Sequence, residues 1–108
     1  MGFGERIRTE VESWDGVASR PHRFGGVAFM FGNRELGHIH GDRLADLPFP
    51  KRVAAELIAD GRAFPHHVVP DSGWISKPIG GEDDVQAVLD LFRLSYERAT
   101  AAAARRGS

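Results

Sequence analysis

Histidine is the residue type whose placement in this chain most directly suggests chemistry. His38 and His40 lie two residues apart in a segment, Arg34 to His40, that reads as a strand. Side chains two apart on a strand leave the same face of the sheet. An imidazole there can accept or donate a proton, bind a metal or bind an anion once protonated. The pair therefore predicts a polar site on one face of a sheet.

A metal at this pair would need at least one further donor. His66 and His67 are adjacent, so on a strand they would point to opposite faces and only one could join the pair. The candidates for a third ligand are His22, His66, His67 and Asp42. No spacing selects among them, and hydrogen-bonded structural or surface histidines are the plainer interpretation. We therefore assign no metal, and His38 and His40 are the candidate ligands if one binds.

Three further segments offer chemistry beside the histidines. Arg23 with the glycine pair at 25–26 could bind an anion through its guanidinium and free amides, or could be a turn beside a solvated arginine. Ser72 lacks the surroundings of a nucleophile and fits a turn. Trp74 is expected to anchor the core, with its N–H at a carbonyl or the rim of a cleft. The predicted ligand-binding residues are His22, Arg23, His38, His40, His67 and Trp74.

Composition limits the classes of protein that fit. A chain of 108 residues is the usual size of one domain, so 1–108 is expected to fold as a single unit. Fourteen basic against fifteen acidic residues give no positive surplus to neutralise phosphates, which argues against a nucleic-acid partner. The absence of cysteine excludes disulfides and thiolate ligands. No apolar run predicts a signal peptide or a membrane span, so we expect no membrane association and a cytoplasmic location.

Periodicity predicts an α+β fold that would position these side chains. We expect an antiparallel sheet of four to six strands with about three helices on one side, which leaves the other face open. Leu36, His38 and His40 should share one face of their strand, with Glu35, Gly37 and Ile39 on the other. Residues 101–108 should form a frayed tail. The helices are expected at Phe3 to Trp14, Pro50 to Asp60 and Asp83 to Ala99; the strands at Val17 to His22, Val27 to Phe31, Arg34 to His40, Leu44 to Leu47, Phe64 to Val69 and Trp74 to Ile79.

The apolar stripes predict a core and one exposed patch. Leu91 and Leu94 lie off the main stripe of the last helix, which would leave them exposed as a homodimer contact. The residues expected in the core are Phe29, Leu57, Trp74, Val88, Leu89, Phe92 and Tyr96.

Four motifs in order resemble the luciferase-domain family of small bacterial and fungal proteins, over roughly Val11 to Ala99. They are His22-Arg23-Phe24-Gly25-Gly26, Gly37-His38-Ile39-His40-Gly41-Asp42, Leu47-Pro48-Phe49-Pro50 and His66-His67-Val68-Val69-Pro70-Asp71-Ser72-Gly73-Trp74. The resemblance implies no assigned reaction, and the chain is far too short for the barrel of a flavin-dependent luciferase, which needs roughly 250 residues. The order of elements is also similar to the MmcQ/YjbR-type fold.

These observations predict a histidine- and arginine-rich site on the sheet for a small molecule or anion, for binding or for catalysis. The sequence leaves the cofactor unassigned. The alternative is an interaction or regulatory module that docks a protein partner or nucleic acid.

Overall fold

A six-stranded antiparallel sheet forms the centre of the fold, with strand order β1-β2-β3-β4-β6-β5. The computed structural model describes residues 2–107. The strands are β1 (Val17–Pro21), β2 (Val27–Phe31), β3 (Arg34–His40), β4 (Leu44–Pro48), β5 (Phe64–Pro65) and β6 (Trp74–Pro78). The α-helices of the described part are α1 (Phe3–Glu12), α2 (Lys51–Ala59) and α3 (Glu82–Gly107). The predicted α+β class and the antiparallel pairing are confirmed.

One continuous core joins the helices to the sheet. Ile7 and Val11 on α1 and Val88 and Phe92 on α3 are fully buried in it, because their spacing of three to four residues places them on one helix face. The ring of Phe92 meets that of Phe29 edge to face at 5.3 Å. Of the predicted core residues, Phe29, Leu57, Val88 and Phe92 are buried, and Leu89 and Tyr96 pack partly buried against them.

Two expectations about apolar side chains are wrong. Trp74 does not belong to the core cluster: alternation along β6 turns Ile75 into the core and leaves Trp74 half-buried on the opposite face. Leu91 is 1% exposed and Leu94 packs against the core, because α3 contacts both α1 and the sheet and so buries a wider arc than one stripe. These leucines do not form the exposed homodimer contact that the sequence predicted.

Several boundaries also differ from expectation. α1 ends at Glu12, two residues before Trp14. α3 continues to Gly107, so residues 101–107 are helical rather than frayed, which fits their alanines and the basic residues in the last turn; Ser108 lies outside the described residues. β5 ends at Pro65, and the segment 66–73 leaves the strand path as a loop. Among the described residues, no helix is both long and apolar enough to cross a membrane.

A β-bulge in β3 changes which side chains share a face. Phe29 pairs with Gly37 and the next residue of β2 pairs with Glu35, so Leu36 is the extra residue. Gly37 has φ of +151°, a conformation that favours glycine, and a Cβ there would lie 2.8 Å from Phe92. The bulge buries Leu36 in the core and places Glu35 on the face of His38, the reverse of the predicted alternation.

Candidate functional site

A row of directly paired residues crosses the sheet face opposite the core. Ala28 on β2 pairs with His38 on β3, and His38 pairs with Asp46 on β4. Asp46 pairs in turn with Ser76 on β6. Because residues paired across antiparallel strands project to the same face, this register brings an imidazole, a carboxylate and a hydroxyl together without any help from loops.

Asp46 is the centre of the site. Its side chain is 1% exposed, and its Oδ1 accepts a hydrogen bond of 2.6 Å from the Ser76 hydroxyl. Its Oδ2 lies 3.2 Å from Nε2 of His38, 3.1 Å from Nε2 of His40 and 3.5 Å from Nε2 of His66. Three imidazoles from two separate segments, strand β3 and the loop after β5, therefore converge on one buried carboxylate oxygen.

His38 is held by carboxylates at both ring nitrogens. Nδ1 lies 2.7 Å from Oε2 of Glu35, and Nε2 faces Asp46. Burial disfavours the charged ring, but the hydrogen bonds to Asp46 and Glu35 outweigh burial and raise the pKa of His38 to about 9. Burial likewise disfavours the charged form of Asp46, yet its hydrogen bonds from His38 and Ser76 hold the pKa of that carboxyl well below its usual range.

The loop after β5 brings His66 and His67 over this row. Nδ1 of His66 accepts the backbone N–H of Val68 at 3.1 Å, which leaves the ring proton on Nε2, directed at Asp46. His67 stacks on His66 with centroids 4.6 Å apart. The two rings line the same cavity, so the prediction of opposite faces is wrong, and the reason is that the strand ends before them at Pro65.

The histidines line a cavity of about 480 Å³. Its floor is the cluster around Asp46, and its walls include the ring of Trp74, 5.4 Å from that of His38. Gly73 positions this tryptophan: it has φ of +92°, and a Cβ there would collide with the carbonyl of Phe49. The residues that line the cavity are His22, Arg23, Glu35, His38, His40, Asp46, His66, His67, Val68, Val69 and Trp74.

All six predicted ligand-binding residues border this one cavity. Of the two glycine amides in the predicted anion site, that of Gly26 is already used, since its N–H donates to the carbonyl of Arg23. Asp42, a predicted third metal donor, accepts the N–H of Gly4 at 2.8 Å and lies outside the cavity. Asp42 lies outside the cavity because it is in the turn after β3 and not on the sheet face.

Asp46, Glu35 and Ser76 are the site residues that sequence reasoning missed. Asp46 could have been found, because the three-residue turn after His40 sets the register that pairs His38 with Asp46. An acidic residue between Ala45 and Leu47, both buried, was the signal for a polar side chain on the opposite face. Glu35 could not have been found, because simple alternation assigns it to the wrong face of the sheet and only the bulge places it on the face of His38.

Fold and site together define a small α+β domain with a histidine and carboxylate cluster on the open face of its sheet. The chain belongs to the luciferase-domain family, whose model, described as Luciferase domain, matches residues 33–95. The match includes the Asp46 cluster and Trp74 but not His22 and Arg23. No curated protein matches the chain. No solved structure matches it either, so the similarity to the MmcQ/YjbR-type fold stays a prediction.

Proposed function

We propose that this chain binds a small organic molecule that carries an acidic or anionic group, and that the cavity over Asp46 is its binding site. The observation that carries the proposal is the convergence of His38, His40 and His66 on one buried carboxylate at the floor of a cavity.

The floor offers an imidazole that an acidic group can reach. His40 is about a quarter exposed, at 26%, and reaches Asp46 through Nε2 alone. Arg23 contributes a guanidinium at the rim with no ion pair among residues 2–107. A cation at the rim and imidazoles below it favour a carboxylate, a phosphate or an acidic hydroxyl.

The walls are suited to an apolar ring or chain. The cavity volume of about 480 Å³ lies within the range of roughly 300–1,000 Å³ typical of small-molecule sites. The indole of Trp74 forms one wall, and Val68 and Val69 remain 68% and 41% exposed beside it. Exposed valines next to an aromatic ring gain contact area when an apolar group enters, which supports a ligand with both a flat apolar part and an acidic group.

Stability alone explains this cluster poorly. Burying charged groups costs desolvation free energy, and apolar residues of similar volume often stabilise a fold as well or better. The core on the other face is already continuous without these residues. A ligand that completes the polar network gives the cluster a role that folding does not require.

Tryptophan fluorescence tests the proposal, because the chain has two tryptophans and only Trp74 borders the cavity. In the Trp14→Phe variant we expect benzoate, or inorganic phosphate if the anion dominates, to change the Trp74 emission saturably. Adding His40→Gln should weaken binding about tenfold, a loss of roughly 1.4 kcal/mol. The matched control, Trp74→Phe, reports from Trp14 and should show no saturable change.

The proposal fails if neither probe changes the Trp74 emission saturably. It also fails if the His40→Gln variant binds both probes as tightly as its parent. Circular dichroism of each variant checks that the fold is retained.

A further inference from the structure

We infer that the floor of this cavity is a binding site for one divalent first-row transition metal ion, with Nε2 of His38, Nε2 of His40 and Oδ2 of Asp46 as its ligands. The inference deepens the proposed function and rests on the same cavity, since the ion would supply the charge that an acidic ligand meets.

Two of the three separations between the donor atoms already match the spacing of ligands around a single ion. All lie within 4.8 Å of one another, and Oδ2 of Asp46 is 3.2 Å and 3.1 Å from the nitrogens of His38 and His40. Atoms bound to one ion at about 2.1 Å, with angles between about 90° and 110°, lie roughly 3.0–3.4 Å apart. The ion would replace the protons that now lie between these atoms.

The groups behind the donors orient them as metal sites require. Oε2 of Glu35 lies 2.7 Å from Nδ1 of His38 and accepts a hydrogen bond from it, so Nε2 is the nitrogen whose lone pair would face the ion once its own proton is displaced. The Ser76 hydroxyl occupies Oδ1 of Asp46 and leaves Oδ2 for the ion. A carboxylate behind a ligating histidine is the usual outer-shell arrangement, and it is an observation independent of the donor spacing.

His66 has a different role in this site. Because its Nδ1 accepts the backbone N–H of Val68, a neutral ring carries its proton on Nε2 and has no lone pair for an ion. Nε2 would instead donate a hydrogen bond to Asp46 or to a group bound on the metal. The ligand set is therefore two histidines and one carboxylate, with further coordination positions open toward the cavity.

This set of donor atoms limits which metal ions fit the site. Two histidines and one carboxylate with open positions are typical of non-haem iron(II), and a His₂-carboxylate set also binds catalytic zinc. The absence of cysteine removes the thiolates that favour copper(I) or structural zinc. His22, Glu35 and His38 form a second group of close donors, but there Glu35 would have to leave the nitrogen that it orients.

Metal titration of the chelator-treated protein tests the inference. We expect one Co²⁺ per chain, seen by its visible absorption and displaced by Zn²⁺, and Fe²⁺ added without oxygen to compete for the same site. Glu35→Gln should weaken Co²⁺ binding by about 10–100-fold while retaining all three ligands. His40→Gln should weaken it at least as much. Asp42→Asn, the matched control outside the cavity, should bind Co²⁺ like the parent.

Two results would overturn the inference: less than stoichiometric Co²⁺, Zn²⁺ and Fe²⁺ binding by a folded parent, or equal Co²⁺ affinity in His40→Gln and Asp42→Asn. Repeating the benzoate titration with chelator and with Zn²⁺ separates this inference from the proposed function. If benzoate binds and no metal does, the proposed function is supported and the metal site is rejected. If a metal binds and neither benzoate nor phosphate does, the metal site is supported and the proposed function is rejected.

Discussion

The ring of His22 lies flat on the ring of His38, with centroids 3.8 Å apart and planes inclined by 15°. Two stacked imidazoles at this distance do not both carry a proton's charge readily, since like charges repel strongly where solvent is scarce. His38 has carboxylates at both nitrogens and keeps the charge. His22 is therefore the neutral partner.

This division of charge predicts two separate titrations in chelator-treated protein. Burial first, and then the positive charge of His38, lowers the pKa of His22 from its usual value of 6.5. The hydrogen bonds of His38 raise its pKa to about 9. Histidine Cε1–H signals followed by NMR should show one ring titrating below 6.5 and another near 9. The assignment is wrong if His22 is the ring with the raised pKa.

The raised pKa also predicts how stability depends on pH. A group whose pKa is higher in the folded protein stabilises fully below its unfolded pKa and loses that effect as pH rises through the folded value, here from 6.5 to about 9. His38→Gln should therefore cost roughly 3 kcal/mol near neutral pH or below and clearly less at about pH 10. Urea unfolding with chelator present measures both differences. An equal cost at the two pH values would show that no protonated His38 stabilises the fold.

The pH dependence of stability that Asp46 contributes has the opposite sign. Its lowered pKa means that its contribution is present above the unfolded value of 3.8 and is lost as pH falls. The wild-type protein should accordingly lose stability on both sides, in acid through Asp46 and in base through His38.

The bulge at Gly37 predicts a large effect from adding one methyl group. Gly37→Ala must adopt φ of +151° and place its Cβ 2.8 Å from both Phe92 and the carbonyl oxygen of Asp46. Backbone strain and overpacking together should cost about 2–5 kcal/mol in urea unfolding. Gly81→Ala is the matched control, because nothing lies within 4 Å of its Cβ and its φ is not positive. Similar stabilities of the two variants would contradict the bulge geometry.

The burial of Phe92 predicts how much stability the core loses when its ring is removed. It is fully buried and meets Phe29, so Phe92→Ala should lower the free energy of unfolding by about 3–5 kcal/mol. Phe64→Ala removes the same side chain at a site that is 58% exposed and should change stability by less than about 1 kcal/mol. A loss below about 1 kcal/mol for Phe92→Ala would show that this face of α3 is not packed.

The elements that depend on local pattern could be predicted from the sequence. β2 and β3 match their predicted bounds, and a two-residue turn at Gly32 and Asn33 joins them. The periodic helices were also found, with errors at their ends. Alternation failed where a tertiary feature interrupts it, at the Gly37 bulge and beyond Pro65, and these two places decide where Glu35, His66 and His67 point.

The residues of the candidate site divide in the same way, into those that local pattern predicts and those that tertiary contacts place. His38 and His40 were found because a strand aligns them by itself, and His22, Arg23, His67 and Trp74 do border their cavity. Asp46 depends on the pairing of β3 with β4, which the short turn after His40 sets but alternation within one strand does not show. The separation of Asp42 from the site depends on its contact with α1, a relation between distant segments that leaves no periodic signal.

The measurement that tests the central claim most directly is native mass spectrometry of the protein purified from its natural host, beside its His40→Gln variant purified in the same way. His40 is the suitable position, because it is partly exposed and has one hydrogen-bond partner in the cluster, so its loss should leave the fold intact. We expect the parent to carry a small organic mass, released on denaturation and identified as a molecule with an acidic group, and the variant to carry little or none. A parent protein that is bare, or a mass retained equally by a folded His40→Gln variant, would contradict the assignment of this cavity as the binding site.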